Sequence, residues 1–363
     1  MKKFPRAVFA VLFLLTAIVV GFIRPTVAEE TMYIRSNGMV DPPTAPISPS
    51  ADNITYYLTN NILGRIVVQR DNIVVDGAGY TIQGAQNGTG IDLTGRHNVT
   101  IENIEIKAFA FGIRLYLSSK ITISGNNITS NDYGIKLEGS SNNIISRNNI
   151  TNIHRGIWLQ GSPNNTLSGN NITNNNQGIY LENSSANTLS GNNVTANNYH
   201  GIGLFGSSDN TLSGNNVTAN TAEGIWLYDS SSNIISGNNI TSNDYGIQLY
   251  DSSNNIIYNN SFVDNAEQVF SAGSTNIWDN GYPSGGNYWS NYTDVDQYSG
   301  PYQNETGSDE IWDNPYVIDE YNVDNYPLVP EFPTKASTLL ILTVLAVAIG
   351  IHKRTLPNTL ARV

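Results

Sequence analysis

One four-residue unit, Gly-Ile-x-Leu, returns at Gly90, Gly112, Gly134, Gly156, Gly178, Gly201, Gly224 and Gly246, in steps of 22 or 23 residues. Self-similarity at a fixed short period is the mark of a chain that stacks repeats in one dimension. Ile and Leu alternate with variable residues, which is a strand signal of period two. Two more apolar columns keep the same step. One runs Ile123, Ile145, Leu167, Leu189, Leu212, Ile235, Ile257, and the other Ile128, Ile150, Ile172, Val194, Val217, Ile240, Phe262. Each coil therefore turns about four apolar side chains inward, a gross gain of ~6–12 kcal/mol against ~20–40 kcal/mol for ordering 22 backbones. A single coil cannot fold, whereas stacked coils share ladder hydrogen bonds and cover one another's faces. The pattern predicts an all-β solenoid, a parallel β-helix of coils of about 22 residues. A leucine-rich repeat would need Leu where this chain has Asn165, Asn187 and Asn210.

The residues between the apolar points are Gly, Asn and Ser, which make turns and tolerate left-handed backbone. Asn126, Asn148, Asn170, Asn192, Asn215, Asn238 and Asn260 form a column at one turn, where stacked amides can bond from rung to rung. Their neighbours Asn127, Asn149, Asn171, Asn193, Asn216 and Asn239 each open an Asn-x-Thr acceptor sequence for N-glycans. Turn and strand propensity accounts for the same residues without modification.

The ends address the compartment. Lys2, Lys3 and Arg6 precede an apolar run to Ile23, then Thr26-Val27-Ala28, as in a cleaved signal peptide at 1–28. Ala336 to Ile351 is uncharged and Lys353-Arg354 follow, as in a single membrane-spanning helix at 335–363 with a basic cytoplasmic tail. Between them the expected order is an N-terminal cap region at 29–63, coils at 64–267 and an acidic C-terminal cap at 268–334. All thirty acidic residues lie at 29–334, against ten basic ones there, so the expected exterior carries a formal charge of −20. Such a surface repels phosphate backbones, and no nucleic-acid partner is expected. Cysteine is absent, which removes disulfides and thiolate metal sites.

Asp71-Asn72-Ile73-Val74-Val75-Asp76-Gly77 through Thr81-Ile82, followed by the Gly-Ile-x-Leu and Ser-Gly-Asn-Asn-Ile-Thr coils, resembles the NosD-like β-helix family of archaeal exported proteins. Gly286-Asn287-Tyr288-Trp289-Ser290, Pro315-Tyr316-Val317-Ile318 and Asp324-Asn325-Tyr326-Pro327-Leu328 resemble its C-terminal cap, and Pro330-Glu331-Phe332 is similar to a sorting signal. The resemblance implies a right-handed parallel β-helix of the kind shared with carbohydrate-binding proteins and sugar hydrolases. Its namesake serves copper-centre maturation, yet His97, His154, His200, Met32 and Met39 show no ligand spacing.

Function is sought on the outward positions of the Gly-Ile-x-Leu-x strands. Rungs lie ~4.8 Å apart, so Trp158, Tyr180, Phe205, Trp226, Tyr228 and Tyr250 should share one surface on which sugar rings could stack. Aromatic residues also suit strands for their own sake. Asp92, Arg114 and Lys136 occupy successive rungs of one column, the residue types a polysaccharide lyase needs, or else a charge-balanced ladder. Clustered glycosidase carboxylates and an Asp-Pro-His-Glu signature are missing. Asp294, Asp296, Asp309 and Asp313 are a calcium alternative in the cap, although Ser308-Asp309-Glu310-Ile311-Trp312-Asp313 lacks the glycines of a tight metal loop. No other cofactor is expected. The favoured expectation is a non-catalytic protein on the outer face of the cell membrane that binds or organises extracellular polysaccharide. A polysaccharide lyase is the alternative, and a structural stalk or a NosD-like copper-maturation factor comes after it.

Overall fold

The computed structural model describes residues 29–330. The signal segment 1–28, the helix expected at 335–363 and the Glu331-Phe332 part of the sorting-like motif lie outside the described residues. Within them every element is a strand, and no helix is long and apolar enough to cross a membrane.

About ten turns stack into a right-handed parallel β-solenoid. Each turn carries three short strands, for example Tyr133–Glu138, Ile144–Ser146 and Asn149–Thr151, here called the first, second and third faces. Successive coils pair in register and in parallel: Ile135 lies between Ile113 and Ile157, Ile145 beside Ile123, and Ile150 beside Ile128. Ile135, Leu137, Ile145 and Ile150 are fully buried, and so are their counterparts in the neighbouring coils. The inward columns are thus those of the sequence, and each apolar side chain packs against its copy above and below.

The glycine of the repeat is there for lack of room. A Cβ on Gly134 would stand 2.4 Å from the carbonyl oxygen of Gly156 and 3.0 Å from Ile150. Gly134 and Ile135 therefore both face inward, and the residue before the glycine, Tyr133, turns outward again.

Polar ladders close the corners. In the first, the Nδ2 of each asparagine from Asn126 to Asn260 donates to the Oδ1 of the next at 2.9–3.0 Å, and each Oδ1 also accepts the preceding asparagine's backbone N–H. A second ladder runs from Asn143 through Asn165, Asn187, Asn210, Asn233 and Asn255 to Asn276. A serine column from Ser118 to Ser274 accepts backbone N–H groups at the same corner, and at the remaining one Asn197, Asn220, Asn243 and Asn265 each accept the backbone N–H of the asparagine one coil before. Every one of these residues is buried, so the ladders satisfy corner backbone that water cannot reach.

The ends of the stack are coiled as well. Glu30–Ile34 pairs in parallel with the next turn, Met32 opposite Ile66, and Thr55–Leu58 pairs with Ile73–Asp76. The region expected to be an N-terminal cap thus carries strands of the first and second faces. At the far end Glu267–Ala272 continues the first face and Tyr288–Trp289 the third. The ladders finish on the cap: Asn322 Oδ1 accepts the Asn276 N–H at 2.9 Å, and Asp324 Oδ2 accepts the N–H of Asn287 at 2.7 Å and Nε1 of Trp289 at 2.9 Å. Trp278 and Trp289 seal the last coil, Trp289 stacking on Phe262.

Candidate functional site

The first face presents three outward columns. One passes through Asp92, Arg114, Lys136, Trp158, Tyr180, Gly203, Trp226 and Gln248, and a second through Tyr116, Glu138, Gln160, Glu182, Phe205, Tyr228 and Tyr250, in the register expected. The third begins with Phe111, Tyr133, Arg155 and Gln177 and continues through Glu223, Tyr245 and Glu267. Alternation counted from the glycine misses this third column, because two neighbouring residues face inward. The signal was present: large or charged residues precede Gly112, Gly134, Gly156 and Gly224.

Two aromatic patches result. In the first, Phe111 stacks on Tyr133 at 5.0 Å and Tyr133 leans on Trp158 at 5.3 Å. Lys136 Nζ sits 4.0 Å from the Trp158 ring centre, and the Arg155 guanidinium lies 4.5 Å from Trp158 and 4.4 Å from Tyr180. Cations over aromatic faces are attracted by the ring quadrupole, so these rings are held in place. In the second patch Phe205 stacks on Tyr228 at 5.0 Å, Tyr250 meets Phe270 at 5.3 Å, and Trp226 stacks on His200 at 4.6 Å. His200 is buried, with its Nδ1 2.5 Å from Glu223 Oε2. Burial opposes ionisation of Glu223, yet the His200 hydrogen bond and charge outweigh it and hold the carboxyl below its ordinary value.

The patches meet at Gly203. A Cβ there would come 3.1 Å from Tyr180 and 3.6 Å from Trp226, so the missing side chain lets both rings lean over that rung. All six aromatic residues singled out in the sequence lie on this face and are half-buried among their neighbours.

The three candidate lyase residues divide. Arg114 NH2 and Lys136 Nζ converge on one oxygen of Glu138, at 3.2 and 3.4 Å. Asp92 turns away, accepting the backbone N–H of Thr94 at 2.9 Å and its hydroxyl at 2.6 Å. Burial raises Glu138, but the hydrogen bond from Arg114 and the charge of Lys136 prevail and its carboxyl stays below the usual range. Glu138 was not foreseen because its side chain crosses from its own column to the adjacent one.

In the cap, the four calcium candidates act as struts. Asp296 accepts from Ser308 Oγ at 2.6 Å and from the N–H groups of Asp309 and Glu310. Asp313 accepts from the N–H of Gln297 and Tyr298, Asp294 from Asn314, and Asp309 from Ile311 and Gln303. Among the described residues no group of three or more His, Cys, Asp and Glu gathers as metal ligands do.

The stacked, register-locked coils define a right-handed β-helix protein, and a sequence model described as a right-handed β-helix region matches residues 64–217. A second, described as periplasmic copper-binding protein (NosD), matches residues 173–294. The two matches support a NosD-like right-handed β-helix family for this chain. No curated protein matches it in sequence. Among solved structures, the periplasmic alginate epimerase AlgG is 18% identical, with a TM-score of 0.45 over 68% of this chain and 81% of that one. The A-module of a mannuronan C-5 epimerase from Azotobacter vinelandii is 16% identical, with a TM-score of 0.46 over 63% and 96%. DFA-IIIase from Arthrobacter chlorophenolicus is 16% identical, with a TM-score of 0.48 over 61% and 65%.

The residues present do not fit copper. Among the described residues Met32 is buried in the core, Met39 is exposed, and His97, His154 and His200 stand on different coils, so they do not gather around one ion.

Proposed function

We propose that this is an exported, membrane-tethered surface protein that binds extracellular polysaccharide along the first face without cleaving it. The observation that carries the proposal is the pair of ordered aromatic patches meeting at Gly203, with Glu182, Arg155 and Gln160 alongside. Rings fixed by stacking and by cations need little ordering when a sugar lies on them, and the polar neighbours supply donors and acceptors for hydroxyls. The long open face suits a chain of several sugar units better than a small molecule, which a concave pocket would enclose. A glycan array probed with the protein tests this. Trp158→Ala and Trp226→Ala should each weaken retention about tenfold or more, the loss expected of buried aromatic anchors, and unchanged binding in both variants would remove the platform.

A polysaccharide lyase is the second reading, favoured by the convergence of Arg114 and Lys136. Both cations are spent on Glu138, and Lys136 is covered by Trp158 as well. Release of unsaturated product from acidic polysaccharides, lost in Lys136→Ala, would establish that reading over binding alone.

A further inference from the structure

We propose that the outer asparagine column of the third face, Asn127, Asn149, Asn171, Asn193, Asn216 and Asn239, is an array of N-glycan acceptors, modified without breaking the ladder that holds it. The proposal rests on the export part of the functional reading and not on carbohydrate binding. Each of these residues opens an Asn-x-Thr acceptor sequence. Each follows directly on a core-ladder asparagine that is 1–2% exposed and lacks that sequence, so one Asn-Asn pair splits into a structural and an accessible amide.

The outer column forms its own ladder, opposite in direction to the buried one. Asn149 Nδ2 donates to Asn127 Oδ1 at 2.8 Å, and the same bond recurs from Asn171, Asn193, Asn216 and Asn239 at 2.7–2.8 Å. An amide that accepts from one neighbour and donates to the opposite one must donate the hydrogen anti to its carbonyl. The other hydrogen, syn to the oxygen, points off the column. Once a carbon replaces one hydrogen, the nitrogen becomes a secondary amide, which takes the trans form as peptide bonds do, with cis costing about 2.5 kcal/mol. The sugar carbon then occupies the syn position and the anti N–H survives. Attachment consumes the hydrogen the ladder leaves idle.

The partner residue is in place too. Thr195 Oγ1 donates to Asn193 Oδ1 at 2.8 Å, and Thr218 and Thr241 do the same to Asn216 and Asn239. In the transfer, Nδ2 forms a bond to the anomeric carbon of a lipid-linked sugar phosphate. The anomeric C–O bond breaks with its electron pair leaving on the phosphate, and the syn proton passes to a base of the transferring enzyme. Rungs ~4.8 Å apart force chains on successive rungs to splay, so partial occupancy is expected.

The test is peptide mapping by mass spectrometry of the full chain isolated from its own cells. Trypsin is useless between Gly156 and Thr334, where no Lys or Arg occurs, so proteases cutting at acidic and aromatic residues are needed. The expected result is sugar mass on the second asparagine of the pairs at 192–193, 215–216 and 238–239, with the first bare. Thr195→Val and Thr218→Val should each erase the mass at their own site alone, with the circular dichroism of the solenoid unchanged. A processed N-terminus with bare acceptor asparagines, or mass that survives the Thr→Val changes, overturns the proposal. An unprocessed, intracellular chain overturns it through its export premise, and the N-terminal peptide tells the two failures apart.

Discussion

Asn192→Ala tests whether the buried ladder, and not propensity alone, holds the corners. Asn192 Oδ1 accepts the Asn170 N–H at 3.0 Å and Asn170 Nδ2 at 2.9 Å, while its own Nδ2 donates to Leu167 O and Asn215 Oδ1, each at 2.9 Å. Truncation leaves the Asn170 backbone N–H and one Asn170 amide hydrogen without acceptors in a site water does not reach. Each unsatisfied group costs about 1–3 kcal/mol, and a small cavity adds to it, so the expected loss is ~3–6 kcal/mol. Asn171→Ala, in the outer column of the adjacent coil and exposed, removes ladder bonds that water replaces and should cost no more than ~0.5 kcal/mol. Because solenoid stability is nearly a sum over neighbouring repeats, the deficit should appear locally. The assay is urea unfolding by tryptophan fluorescence with hydrogen exchange of the Asn148, Asn170 and Asn215 amides. Equal losses in the two variants, or less than ~1 kcal/mol in Asn192→Ala, would refute the reasoning.

Burial pushes the Asp324 carboxyl up to about 7 against the pull of the N–H groups of Asn287, Trp289 and Tyr326. The folded chain therefore keeps a proton there that the unfolded chain has released, so stability should fall by as much as ~4 kcal/mol from pH 4 to pH 8. In Asp324→Asn the fall in urea midpoint between pH 6 and pH 8 should disappear, and an equal fall in the variant would show that another group is responsible. Gly156→Ala would bring a methyl 2.7 Å from Gly178 O and 2.8 Å from Ile172, and it should lower the melting temperature by several degrees, whereas Gly161→Ala, where a Cβ meets nothing within 4 Å, should strain only its own backbone and lower it less. Calcium removal by chelator should leave the cap's melting unchanged, since the carboxylates of Asp294, Asp296, Asp309 and Asp313 are bonded to N–H and hydroxyl groups already; a calcium-dependent shift would revive the metal reading.

The apolar columns were legible because a buried position in a stacked coil meets its own copy above and below, which keeps it Ile, Leu or Val at nearly every rung, with Phe262 on the third face an exception. The Asn126 column was readable for the same reason. The second asparagine ladder was in plain view at Asn165, Asn187 and Asn210, yet its role depends on which way the corner turns, and spacing does not encode that. Tyr133 and Arg155 escaped because Gly134 and Gly156 place two successive residues inward and reset the alternation. Glu138 escaped because a long side chain reaches across columns. Residues 29–63 read as a cap because Met32-Tyr33-Ile34 lacks the glycine signature, although the strand there obeys the same pairing.

The columns of this solenoid differ in how much they vary from rung to rung, and that difference separates folding from recognition. Inward positions repeat Ile, Leu, Val, Asn and Ser with hardly a change, since each must fit its neighbours' shape and hydrogen bonds. The outer positions of the third face are as uniform, Asn and Thr for six rungs, although solvent imposes no such fit. Only the first face runs through Asp, Arg, Lys, Trp, Tyr, Gly, Trp and Gln along a single column. A stack already held by its core and ladders needs no particular residue there, so a sequence of distinct side chains, locked by stacking and cation contacts, has the character of a surface that reads something non-repeating along its length. The uniform third face, in contrast, offers the same group at every step, as an array for attachment would.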